Sequence, residues 1–220
     1  MDSNDLGFPI TTDSNGVGLL KVALKNGNHK IISYNYATGE NVSDTFKVFD
    51  VLTGGKDIKM YYDNGNTYKL RVFDNNGNPV KAGQKVTFNF NGKKSTVKTD
   101  KNGYATFKLT QKPGYYPIFA QYNNFQVANI IYIKNVLKLA SSLKSFPVKA
   151  IMKVKIKFLG KSKKNKPIKV KFNKKTYKGK TNKKGIATFK IKTPKKMGKY
   201  SFTALYKKNK LSLIYMRYRA

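Results

Sequence analysis

Apolar and polar residues alternate in short runs along most of the chain, and clusters of Asn, Asp and Gly separate the runs. Because successive side chains of a β-strand lie on opposite faces, each run predicts a half-buried strand. Asn-Gly steps accept a positive φ and close tight turns between such strands. The middle of the chain is therefore predicted to contain strands at Ile58–Tyr62, Thr67–Phe73, Lys85–Phe90, Ser95–Thr99, Tyr104–Leu109, Tyr116–Tyr122 and Phe125–Ile133.

Seven short strands with a turn about every 8–12 residues favour a two-sheet, immunoglobulin-like sandwich. We therefore expect an all-β fold of tandem, antiparallel Greek-key β-sandwich domains. The chain's 15 Tyr and 14 Phe are sufficient for such cores. The alternation predicts the side chains that lie between the sheets of the middle domain: Tyr68, Leu70, Val72, Val86, Phe88, Phe90, Ala105, Phe107, Leu109, Ile118 and Ala120.

One sequence segment occurs three times along the chain. It starts at a Thr, passes through a polar turn that ends in Gly, and continues as an alternating strand, at Thr12–Val22, Thr99–Leu109 and Thr181–Ile191. The anchoring glycines, Gly16, Gly103 and Gly185, are 87 and 82 residues apart. That period suits one small sandwich of about 80–100 residues.

A second shared feature follows each copy of this segment. A polar loop ends at Gly27, Gly114 or Gly198, and two residues later stands His29, Tyr116 or Tyr200. Gly-x-Tyr at this place resembles the tyrosine corner of immunoglobulin-type folds, in which the phenol bonds back to nearby backbone. His29 departs from that pattern.

The repeats divide the chain into a partial copy at 1–52, a complete copy at 55–136 and a Lys-rich copy at 137–220. The partial copy supplies three or four strands and ends with Asp44–Val51. Half a sandwich exposes strand edges and an apolar face, so we expect the chain to be the C-terminal piece of a longer protein. The last copy is predicted to form strands at Ile151–Phe158, Lys169–Phe172, Thr176–Thr181, Ile186–Ile191, Tyr200–Tyr206 and Leu211–Tyr218.

The middle copy carries the clearest family resemblance. Its Asp-Asn-Asn-Gly-Asn-Pro turn at 74–79, its Lys-Val-Thr-Phe-Asn-Phe strand at 85–90 and its Thr-Asp-Lys-Asn-Gly-Tyr-Ala-Thr-Phe segment at 99–107 resemble the bacterial and archaeal Ig-like repeats of the Big superfamily. More narrowly, they resemble adhesin-like surface proteins of methanogenic archaea, which often end in a Lys-rich repeat. The resemblance covers 10–220 and implies a surface location, without shared catalytic or ligand residues.

Composition removes several classes of function. The chain has no cysteine, which excludes disulfides, thiolate metal sites and cysteine nucleophiles. No apolar run is long enough to span a membrane, and residues 1–10 lack the apolar core of a signal peptide. The resemblance, and not the composition, implies an extracellular or cell-surface protein, secreted as part of a longer chain.

Few residues are candidates for chemistry. His29 is the only histidine, and Tyr occupies its place in the other copies, so a structural role is expected. The Asp13, Asp74 and Asp100 loops are interpreted as turns, because calcium sites also need a closing Glu, which these loops lack. Asn41 begins an Asn-Val-Ser glycosylation sequon. We expect no enzyme activity, cofactor or metal.

Lysine is the unusual feature of the chain. Residues 138–220 hold 28 Lys and Arg and no acid, and only Arg71, Arg217 and Arg219 are arginine. In the last copy, lysines alternate with apolar residues along three strands, which we expect to share one sheet. The predicted polyanion-binding residues are Lys153, Lys155, Lys157, Lys178, Lys180, Lys190 and Lys192, with Lys169 and Lys171 on the opposite sheet.

Four interpretations of these lysines stay open. An anionic cell-wall or envelope polymer, or a ligand on a host or neighbouring cell, would neutralise a charge that otherwise destabilises the domain. A/T-rich codons would also favour Lys and produce a merely solvated face. Non-specific nucleic-acid binding fits the charge, but base readout prefers Arg, so no specific nucleic acid is expected. The repeats could also serve as a spacer without a ligand.

Overall fold

The chain is folded into β-strands joined by short turns. A computed structural model describes residues 7–141, 151–196 and 198–217, apart from the side chains of 215–217, and within them it has strands and no helix. The predicted all-β class is thereby confirmed, as are the tandem sandwiches described below. The contacts divide the chain into two units, 1–51 and 52–220.

The first unit contains one hairpin, β1 (Gly27–Tyr34) and β2 (Asn41–Val48), paired antiparallel with Gly27 opposite Val48. The expectation of three or four strands is wrong for its described residues. Thr12–Val22 forms the predicted turn, but its second half is not a strand. The equivalent strands of the later copies pair with a strand that precedes them, and 7–51 contains no such partner.

The second unit begins with the sandwich of the middle repeat. Its smaller sheet has the order β3-β5-β8, and its larger sheet has the order β4-β10-β9-β6-β7. All pairings are antiparallel except β4 with β10, which is parallel. The strands are β3 (Leu52–Thr53), β4 (Ile58–Tyr61), β5 (Thr67–Val72), β6 (Lys85–Phe90), β7 (Lys93–Lys98), β8 (Tyr104–Lys108), β9 (Gly114–Tyr122) and β10 (Phe125–Lys134).

The sandwich of the last repeat follows within the same unit. Its sheets have the orders β11-β12-β15 and β14-β13-β16-β17, all antiparallel. The predicted strands agree with these to within two residues, although Tyr218 lies outside the described residues. The strands are β11 (Leu137–Leu139), β12 (Ile151–Phe158), β13 (Pro167–Phe172), β14 (Lys175–Lys180), β15 (Ile186–Lys192), β16 (Gly198–Tyr206) and β17 (Asn209–Arg217).

The core of the middle repeat lies between its sheets, as the alternation predicts. Ten of the eleven predicted side chains are buried, and the eleventh, Phe107, is half-buried. Phe107 packs its ring against Phe88 and Phe90, with centroids 5.2 and 5.6 Å apart. The last repeat buries the equivalent alternate positions, which include Val154, Phe172 and Phe202.

The shared segment forms the same turn in both complete repeats. Asp100 Oδ1 accepts hydrogen bonds from the N–H groups of Asn102 and Tyr104, and Asn182 Oδ1 does the same for Lys184 and Ile186. Gly103 closes the turn at φ 76°, and a Cβ there would lie 2.8 Å from the carbonyl oxygen of Val72. Glycine is therefore required sterically as well as conformationally.

The tyrosine corner is present in both complete repeats. Tyr116 Oη donates to the carbonyl of Lys112 at 2.9 Å, and Tyr200 Oη donates to that of Lys196 at 2.8 Å. In the first unit, His29 Nε2 lies 2.7 Å from the carbonyl of Lys25. His29 thus replaces the phenol, with its Nε2–H as the donor, and makes the same bond to the residue four positions earlier.

The two sandwiches of the second unit meet at a polar junction. Asp63 and Asn64, in the turn between β4 and β5, contact the last repeat: Tyr206 Oη donates to Asp63 Oδ2 at 2.8 Å, and Asn64 Oδ1 accepts from Lys161 N at 2.9 Å. The connection after β10 is held by Asn209, whose buried Oδ1 accepts from Val136 N at 2.8 Å. The repeats are therefore joined by specific hydrogen bonds.

Candidate polyanion-binding surface

Lysines cover the outer face of the sheet β11-β12-β15. On β12, the buried Met152, Val154 and Ile156 alternate with exposed lysines. Because the period of a strand is two, the residues that complete the core also direct the lysines into solvent. The exposed lysines of this face are Lys138, Lys153, Lys155, Lys157, Lys190 and Lys192.

The strand register places some of these lysines directly opposite each other. Lys153 pairs with Lys190, and Lys157 pairs with Lys138. Like charges at directly opposed positions of a sheet destabilise it. No acidic residue follows Asp100 in the sequence, so the last repeat has no carboxylate side chain to separate these charges.

Lys178 and Lys180 do not lie on this face, which corrects the prediction that three strands share one sheet. They belong to β14, which pairs with β13 in the other sheet. Lys178 lies opposite Lys169 there, and Lys171 is two residues further along β13. The predicted lysines therefore form two separate faces on opposite sides of the sandwich.

The turn between β13 and β14 explains this assignment. Phe172 pairs with Lys175, so the loop has two residues, Asn173 and Lys174, with φ of 45° and 61°. Two residues with positive φ form the type I′ turn that joins adjacent antiparallel strands. The chain therefore returns beside β13 and does not cross to the other sheet.

Only one acidic side chain contacts a lysine of the last repeat within the described residues. Lys207 Nζ lies 2.6 Å from Asp63 Oδ2, across the junction between the repeats. Burial raises the pKa of Asp63, but hydrogen bonds from Lys207 and Tyr206, together with the charges of Lys207 and Lys166, outweigh it and hold the pKa below its usual value. Among the described residues, no acidic side chain forms an ion pair with a lysine of the two sheet faces.

The positive charge of the two lysine faces is complementary to that of an anion. A lysine ammonium is a compact charge with three donors, whereas the planar guanidinium of arginine binds carboxylate or phosphate through two parallel bonds. A surface of lysines on flexible stems therefore suits a polymer with repeated negative charges. It provides little geometric selection of individual groups.

The other candidate residues, His29 and the turn aspartates, make contacts that stabilise the local fold. His29 stacks on Phe46, with ring centroids 5.8 Å apart, in addition to its hydrogen bond to Lys25. Asp13 and Asp74 each accept two backbone N–H bonds through Oδ1, as Asp100 does. Backbone hydrogen bonds to Tyr104 and Asn102 lower the pKa of Asp100. Across the described ranges, no group of three or more His, Asp or Glu side chains could hold a metal ion.

Asn41, the first residue of the sequon, is the first residue of β2 and is exposed. It lies opposite Tyr34 in the β1–β2 hairpin. An oligosaccharide there would extend from a strand end of the first unit. Glycosylation of Asn41 stays a prediction.

Comparisons with known proteins show similarity at the level of solved structures. Neither a protein-family profile nor a curated protein sequence matches the chain. Among solved structures, bacterial invasin, an integrin-binding protein, is 18% identical over 77% of this chain and 38% of its own, with a TM-score of 0.33. The Yersinia pseudotuberculosis adhesin InvE is 14% identical over 76% of this chain and 58% of its own, also at 0.33.

The I9–I11 tandem of titin is 12% identical over 81% of this chain and 71% of its own, with a TM-score of 0.46. This chain spans less than two thirds of the length of each of the two adhesin structures. At such identities and TM-scores, no function is transferred from these proteins.

In the described residues, no helix is long and apolar enough to cross a membrane.

The sequence reasoning missed a second surface, on the outer face of the sheet β4-β10-β9-β6-β7. Strand β9 carries Tyr115, Pro117 and Phe119 at outward positions, between the inward Tyr116, Ile118 and Ala120. The signal was present in the sequence, because apolar residues occupy both faces of this strand. It was not recognised because the inward alternation alone accounts for a half-buried strand.

Proposed function

We propose that the chain is a non-enzymatic part of an adhesin-like extracellular surface protein, whose last repeat binds anionic polymers of the cell envelope. The observation that carries the proposal is the directly opposed lysines of β11, β12 and β15, on a repeat without acidic residues. An anionic polymer on this face would relieve their repulsion. The surface location is proposed from the resemblance of 10–220 to methanogen adhesin-like repeats.

The test compares two full-length variants that lose equal numbers of positive charges. One replaces lysines of the β12 and β15 face with glutamine, at Lys153, Lys155, Lys157, Lys190 and Lys192. The matched control replaces exposed lysines of the middle repeat, at Lys56, Lys81, Lys93, Lys101 and Lys108. Retention is measured on isolated cell envelopes and on immobilised polyglutamate.

We expect the first variant to lose at least about tenfold in retention, since each lysine near an anionic surface contributes about 1 kcal/mol. The control should lose much less. Equal losses in the two variants would show that net charge, and not this face, determines retention. Unchanged retention in both would favour the spacer interpretation.

Duplex DNA is the comparison ligand, because any basic domain attracts phosphate. We expect its binding to disappear at about 0.3 M NaCl, since non-specific affinity falls steeply with salt. A DNA sequence that stays bound at this concentration would assign the lysines to nucleic-acid recognition and refute the proposal.

A further inference from the structure

A strip of aromatic and apolar side chains lies on the outer face of the middle repeat's larger sheet, along β9 and β10. Tyr115 of β9 is 70% exposed, and its ring stacks on that of Tyr132 with centroids 4.1 Å apart and planes 3° apart. Pro117 pairs with Ile130, which is 46% exposed, and Phe119 follows at 37% exposed. We call these five residues the aromatic strip.

Polar side chains flank the strip at its Phe119 end. An open cleft of about 360 Å³ is lined by Phe119 and by amide, hydroxyl and ammonium groups, those of Thr87, Asn89, Lys94, Gln121 and Gln126. Gln121 Nε2 donates to the carbonyl of Asn123 at 3.0 Å, which holds this amide beside the cleft. The cleft thus combines one flat ring with donors and acceptors beside it.

Lysines lie at both ends of the strip. Lys59 Nζ is 5.9 Å from the ring centroid of Tyr132, and Lys134 Nζ is 5.4 Å from that of Tyr61 on the neighbouring strand. Lys94 lines the cleft at the other end. Asp57 is at the sheet edge, where its carboxylate accepts a hydrogen bond from Ile130 N at 2.8 Å.

The last repeat shows that this surface is not required by the fold. When the strands of the two repeats are matched through Gly114 and Gly198, Lys199 replaces Tyr115, Ser201 replaces Pro117 and Thr203 replaces Phe119. The amide positions on the adjoining strands are replaced as well. The register places Lys171 where the middle repeat has Asn89, and Lys210 where it has Gln126.

We propose that the aromatic strip and its cleft bind a polysaccharide chain that carries carboxylates, such as a uronic-acid polymer. A pyranose ring has an apolar C–H face that packs on an aromatic ring, and a rim of hydroxyls that both donate and accept hydrogen bonds. Amides match such a rim because each supplies a donor and an acceptor. The lysines at the two ends complement carboxylates along the polymer.

The dimensions of the strip suit an extended chain. Tyr115 and Phe119 are four residues apart on one strand, which separates them by about 14 Å. The polymer would lie along β9 and β10 and contact rings at both ends. A protein partner is less suitable, since protein interfaces place a larger apolar core inside a polar rim.

The test measures binding of polygalacturonate to the full chain at about 0.5 M NaCl, where screening is strong and the lysine faces of the last repeat contribute least. Neutral galactan is the matched uncharged probe. The variants are Phe119→Leu, which keeps an apolar side chain but removes the flat ring, and Tyr115→Ala. Phe125→Ala is the control, because Phe125 is 48% exposed in the same repeat but lies off the strip.

We expect saturable binding of polygalacturonate, with a dissociation constant about tenfold higher for Phe119→Leu and for Tyr115→Ala, which corresponds to the loss of one aromatic contact. The control should bind like the parent, and galactan should bind more weakly. The proposal is overturned by absent binding, by an unchanged constant in Phe119→Leu, or by equal affinity for galactan. A dimer that dissociates on Phe119→Leu would instead assign the strip to a second copy of the chain.

Discussion

Tyr116 and Tyr200 make the same hydrogen bond to the carbonyl four residues earlier, and His29 makes its equivalent in the first unit. The Gly-x-Tyr spacing was sufficient to predict the bond for both tyrosines. His29 could not be predicted, because the spacing does not reveal that an imidazole N–H reaches the same carbonyl. The bond depends on the position of a donor, and not on the phenol itself.

Replacing Tyr116 with Phe tests the contribution of this bond. The ring contact with Phe90, at a centroid distance of 5.6 Å, is retained, and only the hydroxyl is lost. We expect the free energy of unfolding to fall by about 1 kcal/mol, because the carbonyl of Lys112 loses its donor. Urea unfolding monitored by circular dichroism measures the change. Tyr122→Phe is the control. An equal loss of stability there would show that the effect does not come from the hydrogen bond of the tyrosine corner.

Lys174 has a positive φ of 61°, at the turn position where the middle repeat has Gly92. Left-handed backbone is costly for a residue with a Cβ. Lys174→Gly is therefore expected to stabilise the last repeat by up to about 1 kcal/mol, because the greater chain entropy that glycine gives the unfolded state offsets part of the gain. The reciprocal Gly92→Lys should destabilise the middle repeat. The same unfolding measurements test both, and a destabilised Lys174→Gly would contradict the strain argument.

At the level of strands, the alternation predicted where the strands of the two complete repeats lie, apart from the short β3 and β11, because a half-buried strand needs a strict period of two. It did not predict which sheet receives β14. That choice depends on the two-residue turn at Asn173 and Lys174, whose positive φ values are not evident from a Lys. The equivalent Asn91-Gly92 step is of the Asn-Gly kind that closes a tight turn, so comparison of the two repeats would have corrected the prediction.

The junction between the two sandwiches could not be foreseen either. It combines the β4–β5 turn with the β16–β17 turn, which are distant in sequence, and no periodic pattern identifies such a contact. Burial at the junction raises the pKa of Tyr206, and the hydrogen bond to Asp63 raises that pKa further. The pKa of Asp63 is lowered, as described above.

Asp63→Asn tests the junction through its pH dependence. A carboxylate with a lowered pKa stabilises the folded state fully above its unfolded value, near 3.8, and this contribution is lost as pH falls through the folded-state pKa. We expect the variant to be less stable at pH 7 by no more than about 1 kcal/mol, because the ion pair is partly exposed. The difference should persist to about pH 4 and shrink below it. Chemical unfolding at several pH values measures this, and a difference that grows on acidification would refute it.

For the whole molecule, the two complete repeats share a fold but differ in the charge of their surfaces. Matched strands carry an aromatic strip with amides in one repeat and lysine faces in the other. The sequence showed the excess of lysine and its alternation. It could not show which lysines lie opposite each other, since the register is fixed by pairing between strands distant in sequence.

That register leads to a prediction about salt. Lys153 opposite Lys190 and Lys157 opposite Lys138 repel each other, and the repulsion is screened as the Debye length falls from about 30 Å at 0.01 M salt to about 3 Å at 1 M. We expect NaCl to stabilise the last repeat by about 1 kcal/mol from these two pairs. Hydrogen exchange at low and high salt measures it, because protection of the β12 and β15 amides should increase.

The middle repeat is the internal control for this measurement. Its strands β5 and β8 form the matching part of its own smaller sheet, and Lys69 of β5 lies opposite Thr106, without a lysine partner. Amides there should gain less protection from the same salt. Replacing Lys153 and Lys157 with Gln should reduce the salt response of β12 without changing that of β5. If both repeats responded equally, the stabilisation would come from a general effect of salt on the chain, and the opposed lysines would carry no particular strain for an anionic polymer to relieve.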